Sequence, residues 1–134
     1  LLQATDHTLL LGNSDDNPAR EKAYLDVLRA EGVGGLILVP GLEGARAYRE
    51  LLDGGVPLVA IDRYVADIDA DSVTVDNVEG AAAAVRHLVA LGHRRIAIAT
   101  GPANVSTATE RLQGYLLALA EAKIPRDDEL IVHG

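Results

Sequence analysis

The chain has no cysteine, methionine, phenylalanine or tryptophan, and only four tyrosines. Without cysteine there is no disulfide framework and no thiolate metal site, and any redox compartment is compatible. No apolar run approaches the ~20 residues that cross a bilayer. No basic stretch precedes an apolar one near Leu1, as a secretion signal requires. A soluble, cytoplasmic protein without a membrane partner is therefore expected. No methionine opens the chain, so a piece of a longer polypeptide is expected as well. Positive charge is also scarce, with 12 Lys and Arg against 20 Asp and Glu, a net charge of −8. Phosphate backbones would repel such a segment, which is not expected to grip nucleic acid itself.

What is present is aliphatic. Leu, Val, Ile and Ala supply nearly all the apolar residues, which suits strands buried on both faces under helices. The 134 residues are enough for a compact unit with its own core. Short apolar runs alternate with helical patterns. Thr8-Leu9-Leu10-Leu11 reads as a strand, after which Asn17 caps a helix with Pro18 in its first turn and Gly32 past its end. On that helix Tyr24, Val27 and Leu28 are expected to face inward. Gly35 to Val39 is a second strand, stopped by Pro40-Gly41. The next helix carries Tyr48, Leu51 and Leu52 on one side and closes at Gly54-Gly55.

Pro57 to Ile61 is a third strand and Ser72 to Val75 a fourth, joined by an acidic loop rather than a helix. An antiparallel return or a switch to another sheet would each explain that link. Val78, Ala81, Ala82, Val85, Leu88 and Val89 give the clearest helical spacing, ended by Gly92. Asp76 with Glu79, and Thr107 with Glu110, both resemble capping boxes. Ile96 to Thr100 forms a fifth strand. A helix with Leu112, Tyr115, Leu116 and Leu119 inward follows, and Leu130 to Val132 begins another strand. Strand and helix alternating through short links predict an α/β fold with parallel strands.

In such sheets ligands bind where the strands end. Those ends carry Asn13-Ser14-Asp15, Pro40-Gly41, Asp62-Arg63, Asp76-Asn77 and Gly101-Pro102. Carboxylates accepting from vicinal hydroxyls, with Arg63 and Arg111 as forked donors, suit a polyhydroxyl ligand. Each residue also has a plainer reading. Asp76 and Thr107 can be helix caps, and Asp62 can pair with Arg63 or cap a turn. Arg111, placed in the first turn of a helix by the Thr107 pattern, opposes the macrodipole there, which favours a ligand role. Asp67 to Asp71 opens like a calcium loop, but Ser72 and Val78 stand where Gly and Glu are required. The four histidines lack ligand spacing. No phosphate loop or nucleophile motif occurs, so no enzyme, metal or cofactor is expected.

The ordered words Val59-Ala60-Ile61-Asp62-Arg63, Val75-Asp76-Asn77-Val78-Glu79-Gly80, Leu91-Gly92-His93-Arg94-Arg95-Ile96, Gly101-Pro102 and Glu110-Arg111-Leu112-Gln113-Gly114-Tyr115 resemble the LacI/GalR family of transcriptional regulators. The resemblance implies a type I periplasmic-binding-protein-like effector core, a three-layer α/β/α architecture with its two subdomains only partly present. Residues 1–75 would belong to the N-terminal subdomain and 76–134 to the C-terminal one, with the DNA-binding helix-turn-helix domain absent. It further implies a small-molecule effector, a carbohydrate or derivative, held in the cleft between subdomains by Asp62, Asp76, Thr107 and Arg111. A homodimer contacting operator DNA through the absent domain completes the expectation. His93, Arg94 and Arg95 read as a structural turn. The alternative is a periplasmic sugar-binding protein serving a transporter.

Overall fold

The computed structural model describes residues 7–41, 45–65 and 67–134. Local chemistry sets the helix ends. Helix α1, Pro18–Ala30, starts where the Asn17 side chain accepts the Arg20 amide at 3.0 Å. It ends at Gly32 (φ +65), with Val33 N–H reaching the Leu28 carbonyl, a glycine-terminated cap. Helix α3, Asn77–Ala90, ends in the same way: Gly92 (φ +92) lets His93 N–H return to the Leu88 carbonyl at 3.1 Å. The His93-Arg94-Arg95 turn is thus a helix exit, and Arg95 lies 3.7 Å from Asp127.

Strands β1 (Leu36–Leu38), β2 (Leu58–Ile61) and β3 (Asp71–Val73) form a parallel sheet in that order. Leu36, Leu38, Leu58 and Ala60 face a core shared with Leu25 of α1 and with Tyr48 and Leu51 of helix α2, Ala45–Asp53. Ile37, Ile61 and Val73 point to the other face and are exposed. A second parallel sheet pairs β4 (Ile98–Thr100) with β5 (Ile131–His133). Its core lies between α3 and helix α4, Ser106–Glu121, and is built from Ala82, Val85, Ile96, Tyr115, Ala118 and Leu119. At Gly114 the helices come so close that a β-carbon would collide with the Val78 carbonyl oxygen. The segment 74–76 carries the chain from the first sheet to α3, which packs with the second sheet's core.

Five expectations are corrected. The run Thr8 to Leu11 is not a strand; Leu9, Leu10 and Leu11 are exposed, and no described neighbour gives their backbone a ladder. On α1 the inward residues are Glu21 and Leu25, while Tyr24 and Val27 lie on the exposed side. The link from β2 to β3 is neither an antiparallel return nor a change of sheet, because the strands pair in parallel, Val59 with Asp71 and Ile61 with Val73. Val65, Ile68 and Ala70 of that loop pack on the core and take the place of a crossover helix. Helix α4 begins before Thr107, which is buried within its first turn and does not cap it. Val105 holds the cap position without a side-chain bond. Arg111 therefore lies in the second turn, where the opposing macrodipole has largely faded.

Candidate functional site

The strand ends gather two groups of polar side chains. In the first, Pro40-Gly41 after β1 meets Asp62-Arg63 after β2. Asp62 has φ +68, a left-handed conformation uncommon for a residue with a β-carbon. Its amide donates to the Val73 carbonyl at 2.9 Å, which fixes the turn. Arg63 donates through Nη1 to Asp16 at 2.9 Å and to the Pro40 carbonyl at 3.3 Å, with Asp62 3.7 Å from its Nε. Beneath them Glu21 is buried, accepting from the Tyr48 hydroxyl and, at 3.2 Å, from Gly41 N–H. Glu21 Oε2 and Arg63 Nε are buried without a hydrogen-bond partner.

This buried cluster was not foreseen, since a charged residue on a surface helix reads as solvated. Its one signal is Gly41, where a β-carbon would run into Glu21 Oε2. Burial, then the hydrogen bond to Glu21, raises the Tyr48 pKa well above its ordinary value of 10.0, and burial raises Tyr115 in the same direction. A raised folded-state pKa makes a contribution that is full below the unfolded value and lost as pH climbs through the folded one. Stability is therefore expected to fall above about pH 10, and less steeply in Tyr48→Phe. Urea midpoints measured across that range check this; equal slopes for the two proteins would show that Tyr48 does not drive the loss.

The second group lies where the chain leaves the first sheet and enters α3. The Asp76 side chain caps α3, accepting Glu79 N–H at 2.8 Å, so the capping reading of Asp76 holds. Glu79 does not complete a box and turns instead to Arg86 at 2.7 Å. Asn77, only 6% exposed, is the hub. Its Oδ1 accepts from Arg111 Nε at 3.0 Å, and its Nδ2 donates to Glu110 at 2.9 Å and to the Val75 carbonyl at 3.3 Å. Glu110 is thus an Asn77 partner rather than the far half of a capping box with Thr107. Thr107 lies one turn before Arg111 on α4 and is buried.

Arg111 also lines a cavity of about 270 Å³ between α3, β4 and α4 and is its single charged lining residue. Walls such as Ala84, Leu88, Ile98 and Tyr115 suit an apolar filler, and Arg111 is the residue this cavity shares with the Asn77 group. Arg111 bonds Asn77, the residue next to Asp76 in sequence, while the Asp76 side chain itself is turned to Glu79 N–H. Asp62 belongs to the Arg63 group, and no hydrogen bond or ion pair joins it to the other three. Among the described residues no cluster of His, Asp or Glu is suited to a metal, and no helix is long and apolar enough to cross a membrane.

Residues 2–134 match the family described as periplasmic binding proteins and sugar binding domain of LacI family. The chain belongs to the LacI family. An HTH-type transcriptional repressor PurR of Proteus mirabilis is 39% identical over 131 residues, covering 96% of this chain. The chain spans only 38% of that repressor's length. A putative ribose operon repressor from Burkholderia thailandensis superposes with a TM-score of 0.91 at 32% identity, covering 98% of this chain and 50% of the other. A Cra transcriptional dual regulator from Pseudomonas putida, solved with fructose 1-phosphate, gives 0.83 at 26% identity, over 98% and 47%. The fold is accordingly that of type I periplasmic-binding-protein-like LacI effector domains. The hydrogen-bonded unit at this edge consists of Arg111, Asn77, Glu110 and the Val75 carbonyl.

Proposed function

We propose that this chain is part of the effector-binding core of a LacI-type transcriptional regulator, sensing a sugar or sugar derivative. Residues 1–75 and 76–134 would be parts of two subdomains, with the ligand between them where the strands end. The observation that carries the reading is Arg111. Its Nε is fixed by Asn77, which leaves both terminal nitrogens for a ligand's paired oxygens. Asp76 and Asp62 would accept from ligand hydroxyls, and Thr107 would contribute from one turn before Arg111. A helix-turn-helix domain outside this chain would meet operator DNA, and a homodimer in the cytoplasm would pass the ligand's preference for one arrangement to it. A transporter's binding protein is not favoured, because the relatives are transcriptional regulators. The same relatives argue against an enzyme.

The test uses the full-length protein. A thermal-shift panel of D-ribose, fructose 1-phosphate, inorganic phosphate and purine bases selects a ligand, which calorimetry then titrates. Arg111→Ala is expected to weaken binding by about 10–100-fold, the loss of a charge-assisted contact, while operator retardation without ligand stays unchanged. Undiminished ligand affinity in Arg111→Ala would remove Arg111 from the site.

A further inference from the structure

We infer that Asn77 is a positioning residue that aims Arg111 and ties it to the segment joining the first sheet to α3, an inference that rests on Arg111 being a ligand contact. Asn77 lies 34 residues from Arg111 in sequence, yet the two are bonded at 3.0 Å. The chemistry fixes which end of the amide goes where. A guanidinium only donates and an ionised carboxylate only accepts, so Oδ1 must face Arg111 and the amide nitrogen Glu110. Glu110 and Arg111 are sequence neighbours of opposite charge, but they share no ion pair; Asn77 stands between them and satisfies both. A carboxylate salt bridge would draw on the guanidinium's charge and occupy its fork. A neutral amide holds Nε and leaves the charge and both terminal nitrogens for another group.

The third bond gives the arrangement reach. Both the backbone N–H of Asn77, at 2.9 Å, and its Nδ2, at 3.3 Å, donate to the Val75 carbonyl. Val75 lies in the link between β3 and α3. Any force a ligand applies to the guanidinium therefore reaches that link through one buried side chain, with no intervening loop. An ordinary helix-start asparagine would serve only nearby backbone groups. This one joins two side chains of another helix, and burial keeps water from replacing its bonds.

The experiment reads Arg111 directly in full-length protein labelled with ¹⁵N-arginine. The Nε–H resonance of Arg111 should exchange slowly with water in the natural sequence and about tenfold faster in Asn77→Ala, the loss of one charged hydrogen bond. Asn77→Asp keeps the acceptor and should keep slow exchange, provided Glu110→Gln accompanies it to remove the repulsion between the carboxylates. Melting temperatures confirm that each variant is folded. Equal exchange rates in the natural protein and a folded Asn77→Ala overturn the positioning role. No ligand enters this readout, so its failure is separate from failure of the ligand reading, which the Arg111→Ala titration judges. In that titration Asn77→Ala should weaken binding on its own and add nothing on top of Arg111→Ala. Additive losses would show Asn77 acting on the fold instead of through Arg111.

Discussion

Replacing Gly114 by alanine is expected to destabilise the second half by about 1–3 kcal/mol, the usual cost of overpacking a tight interior, and replacement by valine by more. The sign is the informative part. Inside a helix, alanine is favoured over glycine by about 1 kcal/mol on backbone grounds. Here the new β-carbon meets the Val78 carbonyl oxygen, with the Ala81 β-carbon and the Ala82 nitrogen each at 3.0 Å. Two of those three atoms are backbone within α3, so no side chain can swing aside to make room. The helices must separate, and the core of Ala82, Val85, Tyr115 and Leu119 opens with them.

Gly80, also helical, has nothing within 4 Å of its would-be β-carbon. Gly80→Ala should therefore raise the melting temperature of the full-length protein slightly while Gly114→Ala lowers it. A rise in both would mean that α3 and α4 do not approach as closely as described.

Tyr48→Ala carries the other large effect. The ring is 1% exposed, and removing a buried aromatic costs about 3–5 kcal/mol in lost contacts and residual cavity. The hydroxyl adds to this. Without it Glu21 keeps only Gly41 N–H, and its second oxygen already has no partner. An unsatisfied buried group adds about 1–3 kcal/mol, so the total is comparable with the whole stability of many small domains. Tyr48→Phe isolates the hydroxyl part. Combining it with Glu21→Leu should recover stability relative to Tyr48→Phe alone, because a pair removed together leaves no stranded carboxyl. Urea midpoints decide between the two. A double variant weaker than Tyr48→Phe would mean that Glu21 serves Arg63 or Gly41 more than the tyrosine.

The features legible from sequence are those decided within a few residues. Asn17 with Pro18, Gly32 and Gly92 each place a helix end through backbone groups on either side, and β1, β2 and β4 appear as apolar runs between turn residues. Pairing is not local. Nothing in Thr8 to Leu11 says whether a neighbour completes its ladder. Nothing before Asp71 says that Val65 and Ile68 will do the work of a crossover helix. The start of α4 was misplaced because Thr107 and Glu110 have the spacing of a capping box, whereas tertiary packing buries the first and Asn77 bonds the second. At the site, Arg111 stands out twice, as a cation expected near a helix start and again in the family's words. Asn77 does not, because its partners lie a whole helix and strand away and no short pattern encodes them. Glu21 escaped notice for the opposite reason, being a charged residue whose burial only the neighbouring α2 creates.

The passage of the chain from the first sheet to α3 through residues 74–76 also bears on how such a protein can change over generations. The cluster around Tyr48 and the cluster around Tyr115 share no core residue, so each can drift, repack or be replaced while the other keeps its shape. A crossover between two related genes at this seam would leave each of these two clusters intact. What such a hybrid would have to preserve is the short junction itself, where the Val75 carbonyl and the Asn77 amide meet. Inheritance can treat the two clusters as separate parts, and the junction is where their histories meet.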